Sequence, residues 1–388
     1  MDFSLTPEQI DIQRSVESIC ARYDLNYWAQ RDAEESFPEE FFQDMVKGGY
    51  TAITLPAEQG GAGLGIETAA VVMQTIAESG AGMSGASTVH SYVFIPKAIA
   101  LHGSEAQKAR MLPPLISGEE RACLGITEPD AGIDTTRLRY RAVKQGDHYL
   151  FSGEKVWPTM GSTADRVLLI ARTTPIEQCK RPIDGLSLFY TKLDRRYVEA
   201  KKIPKLGRNT MESCQLHFQG LPIPEEDRIG EEGKGLYYLF DGLNPERIMV
   251  AAEAIGLARA ALRLASNYAN ERVVFGRPIG QNQGVQHPLA ESWMKVETAN
   301  LMMHKAASLY DAGRECGAEA NTAKYMCAEA AFEACTRALM TFGGYGYAKE
   351  FHVERLMREA LLTRLVPVSP NLVLCYIAER VLGLTKSY

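Results

Sequence analysis

The sequence predicts an α+β protein in which a β domain, built as a barrel or sandwich, lies between two helical domains. Residues 1–118 and 229–388 carry helical patterns, and the second of these segments is rich in alanine. Residues 119–228 instead contain short stretches in which apolar and polar side chains alternate, as half-buried strands require. Helices, then strands, then helices along one chain indicate a separate β domain between two helical domains.

The N-terminal segment opens with a helix-start signal. Thr6 can cap a helix that has Pro7 at its first position and Gln9 at its third. A glycine-rich loop over 55–65 interrupts the helical pattern. A second amphipathic helix is predicted over 67–79.

The middle and C-terminal segments differ in periodicity. The predicted strands are a hairpin over 140–157 that turns at 145–147, a strand over 166–170 and a strand over 214–219. We expect Pro222 and Pro224 to end the β segment. The predicted C-terminal helices cover 247–272, 320–341 and 370–384.

Composition excludes several classes of protein. The chain has 388 residues, 46% of them hydrophobic, and a net charge of -6, which gives no sign of a nucleic-acid-binding protein. The eight cysteines form no CxxC pair, so zinc and thioredoxin-like sites lack support, and scattered thiols fit a reducing cytoplasm. The N-terminus lacks the apolar core of a signal peptide, and no apolar run reaches the roughly 18 residues that a membrane helix needs.

Three glycine motifs do not meet the requirements of familiar sites. Residues 82–86 miss the second glycine of a nucleophile elbow, so we interpret them as a plain loop. Residues 230–235 have neither the spacing nor the hydroxyl residue of a P-loop. Residues 343–346 follow a helical pattern instead of a strand, which excludes a dinucleotide-binding fingerprint.

An ordered set of motifs along nearly the whole chain resembles the acyl-CoA dehydrogenase family. Residues 124–134 read Leu-Gly-Ile-Thr-Glu-Pro-Asp-Ala-Gly-Ile-Asp and are similar to the TEPxAGSD signature of that family. The further matching segments are 153–159, 205–208, 230–235, 272–276 and 342–347. Each motif alone is weak, but their common order is specific. The resemblance implies a helical domain, a β domain and a C-terminal four-helix bundle.

The resemblance implies FAD as the cofactor. Thr127 would hydrogen-bond the isoalloxazine ring, Trp157 would lie against the ring, and Thr159 would reach its redox-active edge. Arg272 would meet the FAD pyrophosphate of a neighbouring subunit, because a guanidinium suits phosphate oxygens. Since FAD would then contact two subunits, a homodimer or homotetramer is expected. The complete set of expected FAD contacts is Leu124, Ile126, Thr127, Gly132, Ile133, Trp157, Thr159, Arg272, Phe275, Gln283, Met340, Gly343, Gly344 and Ser369.

Two departures from the family pattern affect expected contacts. The family serine after the Ala-Gly pair is Ile133 here, so one hydroxyl contact to flavin or substrate is lost. The glutamine that usually precedes the two glycines is Met340, so one contact to the ADP part of FAD is lost.

Pro367 stands where the family uses a backbone N–H to polarise the thioester carbonyl. Either the loop register is shifted and Val368 donates, or a hydroxyl of FAD carries more of that task.

The catalytic base is the third departure. Many relatives carry the base as a glutamate near the C-terminus, but residues 366–370 contain no carboxylate. Isovaleryl-type and long-chain dehydrogenases place it on a helix just before an arginine, and Glu246 with Arg247 matches that pattern. Glu246 is therefore the predicted base, with Ile133, Asn244 and Arg247 as the predicted substrate contacts. Asn244 could cap a helix that starts at Pro245, or Pro245 could kink a longer helix.

The implied reaction is oxidation of an acyl-CoA thioester to the trans-2-enoyl-CoA. Glu246 would take the α-proton and flavin N5 would take the β-hydride, with an electron-transferring flavoprotein as the electron acceptor. The helical base implies a preference for branched, bulky or medium-to-long acyl chains over butyryl-CoA. The alternatives are a relative with altered chemistry (a desulfinase, an oxidase or a flavin monooxygenase) and a non-catalytic helical oligomerisation protein.

Overall fold

A computed structural model describes residues 4–387 of the chain. Six helices precede the first strand: α1 (Pro7–Cys20), α2 (Leu25–Glu34), α3 (Glu39–Lys47), α4 (Ile66–Ile76), α5 (Gly82–His102) and α6 (Glu105–Ile116). The predicted start of α1 is confirmed, because the Thr6 hydroxyl accepts from the Gln9 N–H while the Gln9 side chain accepts from the Thr6 N–H. No single helix among residues 4–387 has the length and apolar character of a membrane span; one bent pair, Val353–Leu365 with Pro370–Val381, meets those two criteria jointly.

The interpretation of residues 82–86 as a loop was wrong, since they form the first turns of α5. The glycines there serve close packing. A Cβ added at Gly82 would lie 2.3 Å from a carboxylate oxygen of Glu359, and one added at Gly85 would lie 3.1 Å from the Trp28 ring. Gly82 and Gly85 therefore allow α5 to pack closely against its neighbours.

The middle segment forms one sheet of eight strands. Its strands are β1 (Ala122–Gly125), β2 (Arg141–Gln145), β3 (His148–Thr159), β4 (Arg166–Arg172), β5 (Leu186–Lys192), β6 (Val198–Lys202), β7 (Ser213–Pro224) and β8 (Arg228–Ile229). The order is β6-β7-β3-β2-β4-β5-β8, with β1 parallel to β4. The predicted hairpin is confirmed, because β2 and β3 pair antiparallel around Gly146.

Strand β7 ends at Pro224, as expected, and only the two-residue strand β8 follows it in the β segment. Pro222 lies inside β7, opposite Leu150 of β3, and Pro224 pairs with His148. Strand β6 pairs with β7 only over 214–218, so the last residues of β7 have a neighbouring strand on one side. Proline is tolerated there because its missing N–H would face no partner strand.

The C-terminal segment is helical, as predicted, apart from a short hairpin. Its elements are α7 (Gly235–Phe240), α8 (Leu243–Glu271), β9 (Val273–Val274), β10 (Arg277–Pro278), α9 (Gln283–Asp311), α10 (Gly317–Phe342), α11 (Val353–Leu365) and α12 (Pro370–Tyr376). Helices α8–α11 pack as a bundle whose interior is largely alanine.

The two helical segments share one apolar core. Val72 and Ile76 of α4 lie in the same buried cluster as Ile255 of α8 and Ala331 of α10. The predicted boundary at 118 falls between α6 and β1, and the boundary at 228 falls at the start of β8. The division of the chain into three domains at these residues stays a prediction.

A buried ion pair attaches the loop after β1 to strand β3. The ammonium group of Lys155 lies 3.0 Å from a Glu128 carboxylate oxygen and donates at 3.0 Å to the Ile126 carbonyl. The other carboxylate oxygen of Glu128 accepts from the N–H groups of Arg139 and Tyr140. Burial lowers the pKa of Lys155 to about 8, against the opposing effect of Glu128. The loop over 126–128 is therefore held by charge-assisted bonds to two buried side chains, Lys155 and Glu128.

Removal of one partner of this pair should destabilise the protein strongly. Lys155→Met leaves the Glu128 carboxylate buried without its counter-charge, which typically costs about 3–5 kcal/mol. Lys192→Met is the matched control, because Lys192 is exposed on β5 of the same sheet and should cost less than ~0.5 kcal/mol. Urea unfolding followed by circular dichroism measures both. Equal midpoints for the two variants would show that the buried pair does not hold the sheet together.

Candidate active site

Two segments of the β domain lie side by side at the predicted cofactor contacts. Strand β1 ends at Gly125, and the Thr127 carbonyl then accepts from the Val156 N–H at 2.9 Å. Leu124 and Ile126 are half-buried beside this join. The bond places Thr127 next to the end of β3, which carries Trp157. The structure thus brings together the first group of predicted contacts.

Trp157 presents a large uncovered ring. Its side chain is 57% exposed, and its backbone adopts a φ of 71°, a left-handed conformation that is uncommon for a bulky residue. Ile133 is 63% exposed, and a Cβ added at Gly132 would meet only the Thr127 side chain, at 3.8 Å. Exposed apolar surface beside an open glycine fits a flat aromatic group.

Thr159 is connected to the helical domains through a half-buried arginine. The Arg208 guanidinium donates to the Thr159 hydroxyl at 3.1 Å and to the Ser87 hydroxyl of α5 at 3.1 Å. Burial lowers the pKa of Arg208, while Glu253, Glu359 and Glu246 act in the opposite direction. The redox-edge residue predicted from the sequence therefore lies in the same region as the predicted base.

Glu246 lies in the first turn of α8 with a carboxylate that is partly open. Its side chain is 22% exposed, and its nearest ionic partner is His90 of α5, whose Nε2 is 3.4 Å from the carboxylate. Within the described part of the chain, no residue donates a hydrogen bond to this carboxylate. An acceptor that is half-buried and not consumed by a hydrogen bond is available to receive a proton.

The helix around Glu246 starts at Leu243, so Asn244 is not its cap. Gly242 is the N-cap and α8 begins at Leu243, so Pro245 lies in the first turn, where its missing N–H needs no partner. The Asn244 side chain caps nothing and instead accepts from Arg247 at 3.0 Å. This bond leaves the Nε of Arg247 buried without a hydrogen-bond partner, and burial lowers the pKa of Arg247.

The second group of predicted cofactor contacts lies exposed on the C-terminal domain. Arg272 follows α8, and its guanidinium lies over the Tyr345 ring, 5.7 Å from the centroid. A Cβ added at Gly343 or Gly344 would meet nothing within 4 Å, and Phe275 is fully exposed. Met340 and Gln283, also predicted contacts, are exposed at the end of α10 and the start of α9. No hydrogen bond or ion pair among residues 4–387 joins this group to the Thr127–Trp157 group.

The segment after α11 is held by a lysine. Lys324 of α10 donates to the carbonyls of Arg364 and Val368 at 3.0 and 2.8 Å. Ser369, a predicted cofactor contact, caps α12 by accepting from the Leu372 N–H at 3.4 Å. The assignment of the thioester donor near Pro367 stays a prediction.

The two other glutamates near this segment are placed differently. Glu359 is fully buried, and its carboxylate accepts from the Ser84 hydroxyl at 2.6 Å. Glu379 is half-buried and accepts from the Ser387 N–H. Burial raises the pKa of Glu359, against the effect of Arg355 and Ser84. Glu359 therefore joins α11 to α5 in the interior, whereas the Glu246 carboxylate is partly exposed, and its assignment as the base stays a prediction.

Sequence reasoning missed three residues of this region: His90, Arg208 and Glu253. Glu253 follows Glu246 by about two helical turns on one face of α8, and that spacing was a usable signal. The other two come from α5 and from the segment between β6 and β7, and only the fold brings them to α8.

The residues present fit a flavin nucleotide. The uncovered Trp157 ring and open Gly132 can accept the ring system, and Arg272 with the open glycines can accept its phosphates. These two sets lie on different parts of the chain, as expected for a cofactor that contacts two subunits.

Comparison with known proteins identifies the family. The models of the N-terminal, middle and C-terminal domains of acyl-CoA dehydrogenases match residues 6–119, 123–221 and 233–381. An acyl-CoA dehydrogenase of Bacillus subtilis (strain 168) is 34% identical over 98% of this chain and 99% of its own length. The mitochondrial isovaleryl-CoA dehydrogenase of Oryza sativa subsp. japonica is 32% identical over 93% of this chain and 87% of its own.

A solved structure supports the same assignment. The glutaryl-coenzyme A dehydrogenase complex with glutaryl-CoA superposes with a TM-score of 0.94 and 32% identity, covering 100% of this chain and 98% of that one. The predicted fold class is thereby confirmed. From the three domain matches, the identities over nearly the full length and this superposition, we conclude that the chain belongs to the acyl-CoA dehydrogenase family.

Proposed function

We propose that this protein is an FAD-dependent enzyme that oxidises the Cα–Cβ bond of an acyl-CoA thioester to the trans-2-enoyl-CoA, with Glu246 as the base. The observation that carries the proposal is the Glu246 carboxylate, which is 22% exposed and makes no hydrogen bond within the described part of the chain. It lies beside the buried network that reaches Thr159. The α-proton of a thioester needs such an acceptor close to the carbon.

The remaining residues of the site bind and orient the substrate. Arg247 offers a largely buried cation for the anionic CoA portion, and Asn244 fixes the orientation of the Arg247 guanidinium. Ile133, whose side chain is exposed, would give the substrate an apolar contact. Bound FAD supplies the acceptor for the β-hydrogen. Glu246 takes the α-proton, so its carboxylate must be ionised when the substrate arrives.

The cofactor would be shared between subunits of a homodimer or of a dimer of dimers. Thr127 and Trp157 would bind its ring in one subunit, and Arg272 with Gly343 and Gly344 would bind its phosphates from the other. An electron-transferring flavoprotein would then accept the electrons.

The acyl group is proposed to be branched, bulky or of medium-to-long chain, since the base lies on α8 instead of the segment after α11. A relative with altered chemistry is the second candidate. Pro367 favours it, because proline has no N–H to donate to the thioester carbonyl.

The purified protein should contain about one FAD per chain and should be a dimer or a dimer of dimers. The reason is that the two groups of cofactor contacts lie apart on one chain and need a second subunit to meet. Absorbance near 450 nm gives the flavin content, and light scattering gives the mass. Colourless monomeric protein that FAD fails to reconstitute would contradict the proposal.

Arg272→Ala should release FAD faster than Arg277→Ala. Both side chains are exposed within the same short hairpin region, but only Arg272 lies beside Tyr345 and the open glycines, while Arg277 donates to Asn282. A charge-assisted bond to phosphate is worth ~1.5–3 kcal/mol, which corresponds to roughly 10-fold or more in the rate of cofactor loss. Dilution into FAD-free buffer, followed by flavin fluorescence, measures that rate. Identical rates for both variants would remove Arg272 from the cofactor site.

Glu246→Gln should abolish oxidation while the protein keeps its fold and its FAD. The amide has nearly the same shape as the carboxylate but cannot accept a proton at neutral pH. We expect turnover to fall by at least ~10³-fold. The measurement is anaerobic bleaching of the flavin after mixing with the best substrate of an acyl-CoA panel.

Glu119→Gln is the control for this substitution, because Glu119 is exposed between α6 and β1 and should leave bleaching unchanged. If Glu246→Gln bleaches as fast as the parent, the base lies elsewhere. If the parent bleaches with no acyl-CoA at all, the altered-chemistry candidate takes the place of the first.

A further inference from the structure

A histidine of α5 lies between two carboxylates of α8. The Nδ1 atom of His90 is 2.7 Å from a carboxylate oxygen of Glu253, and its Nε2 atom is 3.4 Å from Glu246. The Glu253 side chain is completely buried, and that of His90 is 12% exposed. The three side chains form a line that runs from the partly open Glu246 into the interior of the helical core.

The spacing along α8 explains the arrangement. Glu246 and Glu253 stand about two turns apart on the same face of α8, which α5 covers. An imidazole ring placed between them can reach one carboxylate with each nitrogen. Nδ1 lies within hydrogen-bonding distance of Glu253, whereas Nε2 faces Glu246 at an ion-pair distance without a hydrogen bond. Neutral histidine has one donor and one acceptor, so a ring that presents an N–H to each carboxylate is the charged form.

The charges around His90 also favour a cation at this position. Glu246 and Glu253 of α8 act on His90, and Arg208, from the segment between β6 and β7, acts on the same two carboxylates. Glu359 of α11 lies beyond them and is balanced by Arg355. Two carboxylates and one guanidinium leave one negative charge, and a protonated His90 neutralises it. Burial lowers the pKa of His90, but the charges of Glu253 and Glu246 outweigh burial and raise it to about 10.

We infer that His90, held as a cation by Glu253, is a positioning residue that keeps the Glu246 carboxylate ionised and oriented toward the substrate. The inference rests on the proposed function, since it assigns His90 a role in the reaction proposed for Glu246. When the α C–H bond breaks, the proton goes to Glu246, and His90 keeps both of its own N–H protons. His90 does not touch the reacting atoms.

The charge of His90 can be measured without any substrate. The chain has seven histidines, so a holoenzyme labelled with ¹³C at histidine Cε1 gives a small number of signals. His90 is assigned as the signal that is lost in His90→Gln and displaced in Glu253→Gln. We expect it to remain an imidazolium signal from pH 6 to pH 8.5 in the parent and to titrate within that range in Glu253→Gln. A His90 signal that titrates near the ordinary value of about 6.5 in the parent overturns the inference.

Kinetics of anaerobic flavin bleaching test the effect on the base. In His90→Gln the carboxylate of Glu246 loses an opposite charge within about 4 Å, and an opposite charge at that distance favours the charged form of a carboxylate. The acidic limb of the pH profile should move upward by at least ~1 unit, with a rate at pH 6 at least ~10-fold lower, while FAD content and substrate affinity at pH 8 stay unchanged. His148→Gln, on the exposed edge of the β2–β3 hairpin, is the control and should keep the parent profile.

The two possible failures differ. A parent that bleaches while His90→Gln keeps the same pH profile overturns the role of His90 and leaves the proposed function standing. A parent that bleaches with no acyl-CoA overturns the proposed function and, with it, the role of His90. If His90→Gln does not fold, the titration of the parent and of Glu253→Gln still decides whether His90 carries the charge.

Discussion

The candidate site depends on how closely α4 and α5 approach α8. Small residues at this contact make the approach possible: a Cβ added at Gly256 would lie 2.4 Å from the Gln74 carbonyl oxygen, and one added at Gly82 would strike Glu359. A larger side chain at either position would separate the N-terminal helices from the C-terminal bundle. His90, the two glutamates of α8 and Ser87 would then no longer meet. Close packing between segments far apart in sequence is therefore the constraint from which the chemistry follows.

The β domain contributes its part of the site through buried charge. Lys155 and Glu128 fix the loop that carries Thr127, and Arg208 connects Thr159 to α5. Such groups are costly to bury and stable only when every bond is made, so each tolerates little displacement. Trp157 and Glu246 lie on different domains, and these groups hold the two side chains in fixed relative positions.

Local signals in the sequence predicted the local structure well. The capping box at Thr6 and the β2–β3 hairpin depend on residues a few positions apart, and both are present. Where a residue type has two uses, prediction from sequence failed. Glycines at 82 and 85 suggested a loop but permit close packing inside a helix, and Pro222 suggested a strand end but lies inside β7, which ends two residues later at Pro224. The site residues came from the family resemblance, whereas His90 and Arg208 reach Glu246 only through tertiary packing that no local pattern encodes.

A crystal structure with FAD and an unreactive acyl-CoA thioether is the direct test of Glu246 as the base, because it shows which group faces the α-carbon. We expect a Glu246 carboxylate oxygen about 3–3.5 Å from that carbon, with His90 still between Glu246 and Glu253. An α-carbon that faces a different carboxylate, or none, would contradict it.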